Sequence, residues 1–339
     1  MNKVAFTTTI PVESVIAARL QPVDLNNIFV SSDSSKSLVE YAEIEGFPRS
    51  SCAWIKGLYA TVAQNPPLLD AKDVKLFVAV TEGDCSNAGV LAQIVSSKFG
   101  IPSLLFSFHP SRSLEKMRDE ITRFAHSIGT TLDDTIETWK KLQPLRNDLR
   151  KLDEMSYKAD CISGSENHQW LVSASDFNGD YKLFHNQLSH FLSKAKLRKP
   201  FPQKVRIGYL GVPPIFDIYP FIEKHNGRVV FNEIQRQFAM IDPSESIFEQ
   251  YCNYTYPYSA EYRFRKAILE MKKRNITAVI HYVQSFCHRH IEDILLRKIM
   301  SEEMPRVPLL TLEGDKPQTE LDGRIQTRIE AFLETAERG

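Results

Sequence analysis

Short apolar runs rich in β-branched and aromatic residues recur along the chain, separated by stretches whose apolar positions fall at helical spacing. VAFTTTI (4–10), NIFVSS (27–32), KLFVAVTEG (75–83) and PSLLFSF (102–108) read as one series of strands. VRIGYLGV (205–212), GRVVFNEI (227–234), TAVIHYVQ (277–284) and VPLLTLEG (307–314) read as a second. Between the two series lies a polar, helix-favouring region covering 113–129, 131–159 and 183–199. PVESVIAARL places Val12, Val15, Ile16 and Leu20 at helical spacing, with Pro11 suited to a first turn. SAEYRFRKAILEMKKRN (259–275) reads as a crossover helix and FCHRHIEDILLRKIM (286–300) as the next one. Alternation of strands and helices predicts an α/β fold of two similar domains, each a mostly parallel sheet flanked by helices, joined by a helical connector. The expected division is an N-terminal α/β domain with its helical extension over 1–160, then the connector and C-terminal α/β domain over 161–339.

A length of 339 residues agrees with two cores. Lys+Arg and Asp+Glu both number 42, and no long basic run tracks a phosphate backbone, so nucleic acid is not an expected partner. Neither a signal-peptide core nor a membrane-spanning apolar stretch is present, which predicts a cytoplasmic protein without a membrane partner.

The five cysteines (Cys52, Cys85, Cys161, Cys252 and Cys287) lack the tight spacing of a disulfide scaffold, so reduced or metal-bound thiols are expected. Cys85 follows the strand KLFVAVTEG, Cys287 follows TAVIHYVQSF, and Cys52 opens the apolar helix CAWIKGLYATVA. Residues just past strands of two facing α/β units can converge on one cleft. A helix start also favours negative charge, which predicts lowered thiol pKa values. Thiolates without paired histidines select iron–sulfur clusters or zinc, and spacing alone leaves both open beside the simpler reading of buried thiols.

Particular blocks go further. RIGYLGVPP (206–214), GRVVFNEIQRQF (227–238), AVIHYVQSFCHRHIED (278–293) and PLLTLEGDKPQTELDGRIQTRIEAFLE (308–334) resemble the 2-hydroxyacyl-CoA dehydratase family. That family includes 2-hydroxyglutaryl-CoA dehydratase and benzoyl-CoA reductase subunits and the double-cubane cluster proteins. TTTIPVESVIAARLQPVDL (7–25), the Cys52 helix and GDCSN (83–87) agree with it, so the likeness covers nearly the whole chain. The resemblance implies a 4Fe-4S cluster, single or linked as a double cubane, in the inter-domain cleft on Cys52, Cys85 and Cys287. It implies an acyl-CoA substrate, radical dehydration or low-potential reduction, and an electron from a separate ATP-dependent iron–sulfur activator. It further implies a homodimer or a heterodimer with a related subunit, in which this chain either binds substrate or only carries electrons. No residue stands out as the catalytic base; Thr8, Glu13, His168 and Glu313 are the candidates.

The remaining features have plainer readings. Glu166, Asn167, His168 and Asp176 cluster in SGSENHQWLVSASDFNGD (163–180), where capping competes with a role in the cleft. GYLGVPP lacks the third glycine of a dinucleotide turn and is expected to allow a close turn. His281, His288 and His290 flank Cys287 and make zinc the rival metal. Glu313 and Asp315 are expected to bond Arg324 and Arg328 if they are not bases.

Overall fold

A computed structural model describes residues 2–64, 69, 71–202, 205–314 and 321–338. The first unit runs β1 (Lys3–Phe6), α1 (Val12–Ala17), β2 (Gln21–Asp24), α2 (Leu25–Ser31), α3 (Ser35–Ile44), α4 (Ala53–Ala63), β3 (Val74–Glu82), α5 (Asn87–Phe99) and β4 (Ser103–Ser107). Four helices follow: α6 (Leu114–Ser127), α7 (Leu132–Tyr157), α8 (Gly164–Ser173) and α9 (Tyr181–Ala195). The second unit runs β5 (Val205–Gly211), α10 (Tyr219–Lys224), β6 (Gly227–Asn232), α11 (Glu233–Ala239), α12 (Ile247–Asn253), α13 (Ala260–Lys273) and β7 (Ala278–Gln284). It ends with a 3-10 turn (His288–Glu292), α14 (Asp293–Glu303), β8 (Leu309–Gly314) and α15 (Gly323–Arg338).

All strand pairings are parallel, in two four-stranded sheets of order β2-β1-β3-β4 and β6-β5-β7-β8. The two units therefore share one topology without a visible sequence repeat. Strands β6 and β7 are buried along their whole length, which is why VVF in β6 and AVI in β7 run apolar without alternation. In each sheet the chain winds outward from the first strand and then returns to its other side. The order thus reverses between β1 and β3 and between β5 and β7, and ligands of doubly wound sheets collect beyond the strand ends at such a switch point.

Helix starts are set locally. Ser113, Thr131, Ser163, Ser246 and Ser259 each accept a hydrogen bond from the backbone N–H three residues on, the arrangement that satisfies otherwise orphaned first-turn donors. Helix α7 binds the units together. Its Arg146 donates to buried Glu13 of α1 at 2.6 Å, while its Asp153 accepts from Arg274 of α13 at 2.6 and 3.1 Å and from Arg236 of α11 at 3.2 Å.

The expected strand at 27–32 is a helix. Asp24 accepts from the Asn26 backbone N–H at 2.9 Å and caps α2, and the pairing edge is taken instead by the four residues of β2. A short apolar run cannot distinguish the two conformations by periodicity, and the cap decides it. The continuous helix expected at 286–300 is also interrupted: Phe286 takes φ 62°, Cys287 is extended, and α14 begins only at Asp293. Among the described residues no helix is long and apolar enough to cross a membrane.

Candidate functional site

Both switch points open into one cavity of ≈ 160 Å³. Thr7 and Thr8 come to it from the end of β1, and Asp84, Cys85 and Ser86 from the end of β3. Val212 and Pro213 follow β5, and Gln284, Phe286, Cys287 and His288 end or follow β7. Cys52, Trp54 and Ile55 enter from the start of α4. Two strand ends of each sheet and one helix start therefore bring Cys52, Cys85 and Cys287 to a common wall. Cys161 and Cys252 do not line it and are buried in the core around α6–α9 and α12.

Tight backbone places these side chains. Asn26 donates to the Thr7 carbonyl at 2.7 Å and to Asp24 at 2.9 Å, which holds the exit of β1. Gly211 ends β5 at φ 93°, and a Cβ there would overlap the Tyr282 carbonyl oxygen of the neighbouring strand. This is the close turn expected of GYLGVPP, and it directs Val212 and Pro213 into the cavity.

Each of the three cysteines precedes a helical turn, and backbone N–H groups of Trp54, Ile55, Asn87, Ala88 and Arg289 lower the thiol pKa values as the sequence led one to expect. Burial reverses the balance. It pushes Cys52 up to about 12 and raises Cys85 and Cys287, with repulsion from neighbouring thiolates adding to the effect at Cys52 and Cys287 and from Asp84 at Cys85. The expected net lowering is thus not found, because desolvation outweighs the helix-start N–H groups. The three groups are close enough to feel one another's charge, yet no three His, Cys, Asp or Glu side chains among the described residues converge on a point that would hold a single metal ion. A bound cation would supply the positive charge needed to ionise such thiols. Trp54 adds to the fit: its indole N–H is buried without an acceptor among the described residues.

Among the described residues one carboxyl lines the cavity. Asp84 is pushed up to about 6, mainly by burial, against the opposing charge of Arg289 and a 3.2 Å hydrogen bond donated by Tyr256. The one sequence signal for Asp84 is its place in GDCSN, between a glycine, which takes φ 93°, and a site cysteine. Tyr256 and Arg289 carried no comparable signal.

The other sequence candidates are placed as follows. Thr8 lines the cavity. Glu13 is fully buried and committed, accepting from Arg146, Gln250 at 3.1 Å and Tyr251 at 2.7 Å. His168 lies in a buried contact with Gln235 at 2.9 Å, and burial holds it near pKa 4, hence neutral. Glu166 completes a capping box with Ser163, and Asn167 bonds Asp153 and Asn232. Asp176 accepts from the Asp24 backbone N–H at 2.8 Å. Capping and hydrogen bonding therefore account for this segment. Glu313 is exposed and accepts from Ser285 at 2.8 Å, whereas Arg324 pairs with Asp322 and Arg328 donates to the Thr311 carbonyl; the expected Glu313–arginine pairing is not formed. Asp315 lies outside the described residues. His281 bonds Asp293 at 2.7 Å, His290 borders a small adjoining cavity, and His288 reaches the main cavity with its pKa lowered by burial and by Arg289. A larger cavity of ≈ 320 Å³ lies among α11, α12 and α13, but Arg236 and Arg263 in its wall are already paired with carboxylates.

Two doubly wound sheets that face one thiol-lined cavity across their switch points define a bilobal α/β protein whose site is built jointly by both lobes. Residues 7–336 match the family described as 2-hydroxyglutaryl-CoA dehydratase, D-component, and the chain belongs to that family. It is thus a component of the 2-hydroxyacyl-CoA dehydratase type. No curated protein matches the chain significantly.

Proposed function

We propose that Cys52, Cys85 and Cys287 hold a 4Fe-4S cluster, and that the chain is an iron–sulfur subunit of an enzyme that dehydrates or reduces an acyl-CoA with an electron from a separate ATP-hydrolysing activator. The observation that carries this reading is the convergence of three thiols, from both lobes, on one cavity at the paired switch points. Three thiolates leave one iron of such a cluster with an open position, and the bound group would supply Lewis acidity toward a substrate oxygen and one-electron chemistry.

The chain's own residues do the rest. Trp54 offers a buried N–H to the cavity wall. Asp84 is the carboxyl that lines the cavity among the described residues, hydrogen-bonded by Tyr256, and is the group placed to hold or release a proton there. The wall is otherwise largely apolar, with Ile55, Leu58, Ile234 and Phe238, and among the described residues it includes no lysine or arginine. An uncharged acyl chain suits this lining better than a second carboxylate, which would meet no cationic partner.

Anaerobic purification followed by iron and sulfide analysis tests the assignment. The expected result is about four irons per chain, lost in Cys52→Ser, Cys85→Ser and Cys287→Ser and kept in Cys161→Ser. Iron-free protein would refute it. Turnover of 2-hydroxyacyl-CoA thioesters with activator and ATP tests the activity, and an intact cluster without turnover would reduce the role to electron transfer.

A further inference from the structure

The seam between the two lobes is closed beside Cys85 and Cys287 by Arg289. This residue stands two positions after Cys287, yet its guanidinium donates across the seam to the Gly83 carbonyl oxygen at 3.1 Å, two positions before Cys85. A second N–H donates to Glu292 at 2.8 Å. The guanidinium lies 4.1 Å from the ring centre of Tyr256, whose hydroxyl bonds Asp84. Held on three sides and only 11% exposed, the side chain still leaves its Nε–H without an acceptor among the described residues. An ionised group with an unsatisfied buried donor is costly unless an acceptor or a negative charge arrives. The small cavity it lines shares Cys287, Gln284, Val212 and Tyr256 with the main one. The next arginine inward, Arg263, is occupied by Glu233 at 2.7 and 2.8 Å and by Glu292 at 3.1 Å.

We propose that Arg289 is a positioning residue that fixes the Cys85 and Cys287 loops relative to each other and balances the negative charge of the group those cysteines hold. This rests on the cluster reading above. Reducing such a group adds one negative charge, so a buried cation nearby favours the reduced form, and net charge and hydrogen bonding are known levers on cluster potential.

The test is an anaerobic redox titration of the purified chain, followed by EPR. Arg289→Met is expected to weaken the reduction equilibrium at least tenfold, a fall in midpoint of ~59 mV for one electron. Arg289→Lys keeps the charge and should stay within about threefold of the parent. Glu292→Gln removes the acid that offsets Arg289 and should shift the midpoint upward. A loaded Arg289→Met protein with the parent midpoint overturns the proposal. If that variant does not fold, an unchanged midpoint in Glu292→Gln overturns it instead. Parent protein free of iron refutes the cluster reading itself, and the proposal with it.

Discussion

Replacing Gly211 with alanine isolates what the turn after β5 contributes. Two penalties act together. A side chain at φ 93° sits in a region that L-residues adopt at roughly 1–2 kcal/mol. The added Cβ would also overlap the Tyr282 carbonyl oxygen and lie 3.0 Å from its carbonyl carbon, and that oxygen is already the acceptor for the Val212 N–H at 3.2 Å. Backbone cannot swing aside as a flexible side chain can, so an overpacking cost of about 1–3 kcal/mol is added. The expected destabilisation is about 2–5 kcal/mol. Two controls divide it. Gly46 has φ 102° with nothing within 4 Å of a built Cβ, so Gly46→Ala should show only the backbone part, about 1 kcal/mol. Gly208, in the same strand, has no such φ and meets the movable Met271 sulfur at 3.2 Å, so Gly208→Ala should cost less than about 1 kcal/mol. Urea unfolding followed by both fluorescence and circular dichroism gives the differences, since two lobes need not unfold as one. A Gly211→Ala protein no less stable than Gly46→Ala would refute the steric argument.

Asp153→Ala should destabilise by about 2–3 kcal/mol, because it takes two hydrogen bonds from the fully buried Arg274, leaving it Glu270 and the Val230 carbonyl, and loosens Arg236; unfolding midpoints comparable to the parent would contradict this. Burial raises Asp24, and burial followed by the Asp24 charge pushes Asp176 up to about 7. Both carboxyls then bind protons more tightly in the folded than in the unfolded chain, so this pair contributes stability that is full below about pH 4 and is lost as pH rises toward 7. Asp24→Asn keeps the cap on α2 but removes one charge. The variant's stability relative to the parent should therefore rise between pH 5 and pH 8; a constant difference across that range would count against the pairing.

The strands that run through the middle of each sheet were legible because burial on both faces leaves continuous apolar sequence, as in AVIHYVQ. The edge strand QPVD was not, because four residues containing a proline carry little pattern, while the neighbouring NIFVSS has the right composition and the wrong cap. Cys52, Cys85 and Cys287 could be located relative to strand ends, and the topology then explains why those ends meet. Asp84, Tyr256 and Arg289 could not be found in this way. Their significance depends on contacts across the seam, 172 residues apart for Tyr256 and Asp84 and 206 for Arg289 and Gly83, and charged or phenolic side chains show no periodicity that marks such pairing. The thiol pKa values depart from expectation for a related reason: a helix start is a local feature, whereas desolvation is set by the whole fold.

The distribution of the three cysteines also has a consequence in time. Cys52 and Cys85 belong to the first lobe and Cys287 follows the last-but-one strand of the second, with about 200 residues of chain between Cys85 and Cys287. At ordinary rates of synthesis that interval is ~10–40 s, during which the first lobe can fold with two thiols exposed at a half-built wall. The third arrives only with the second lobe, so any group that needs all three thiols is a late acquisition, open to it only after most of the chain has been made.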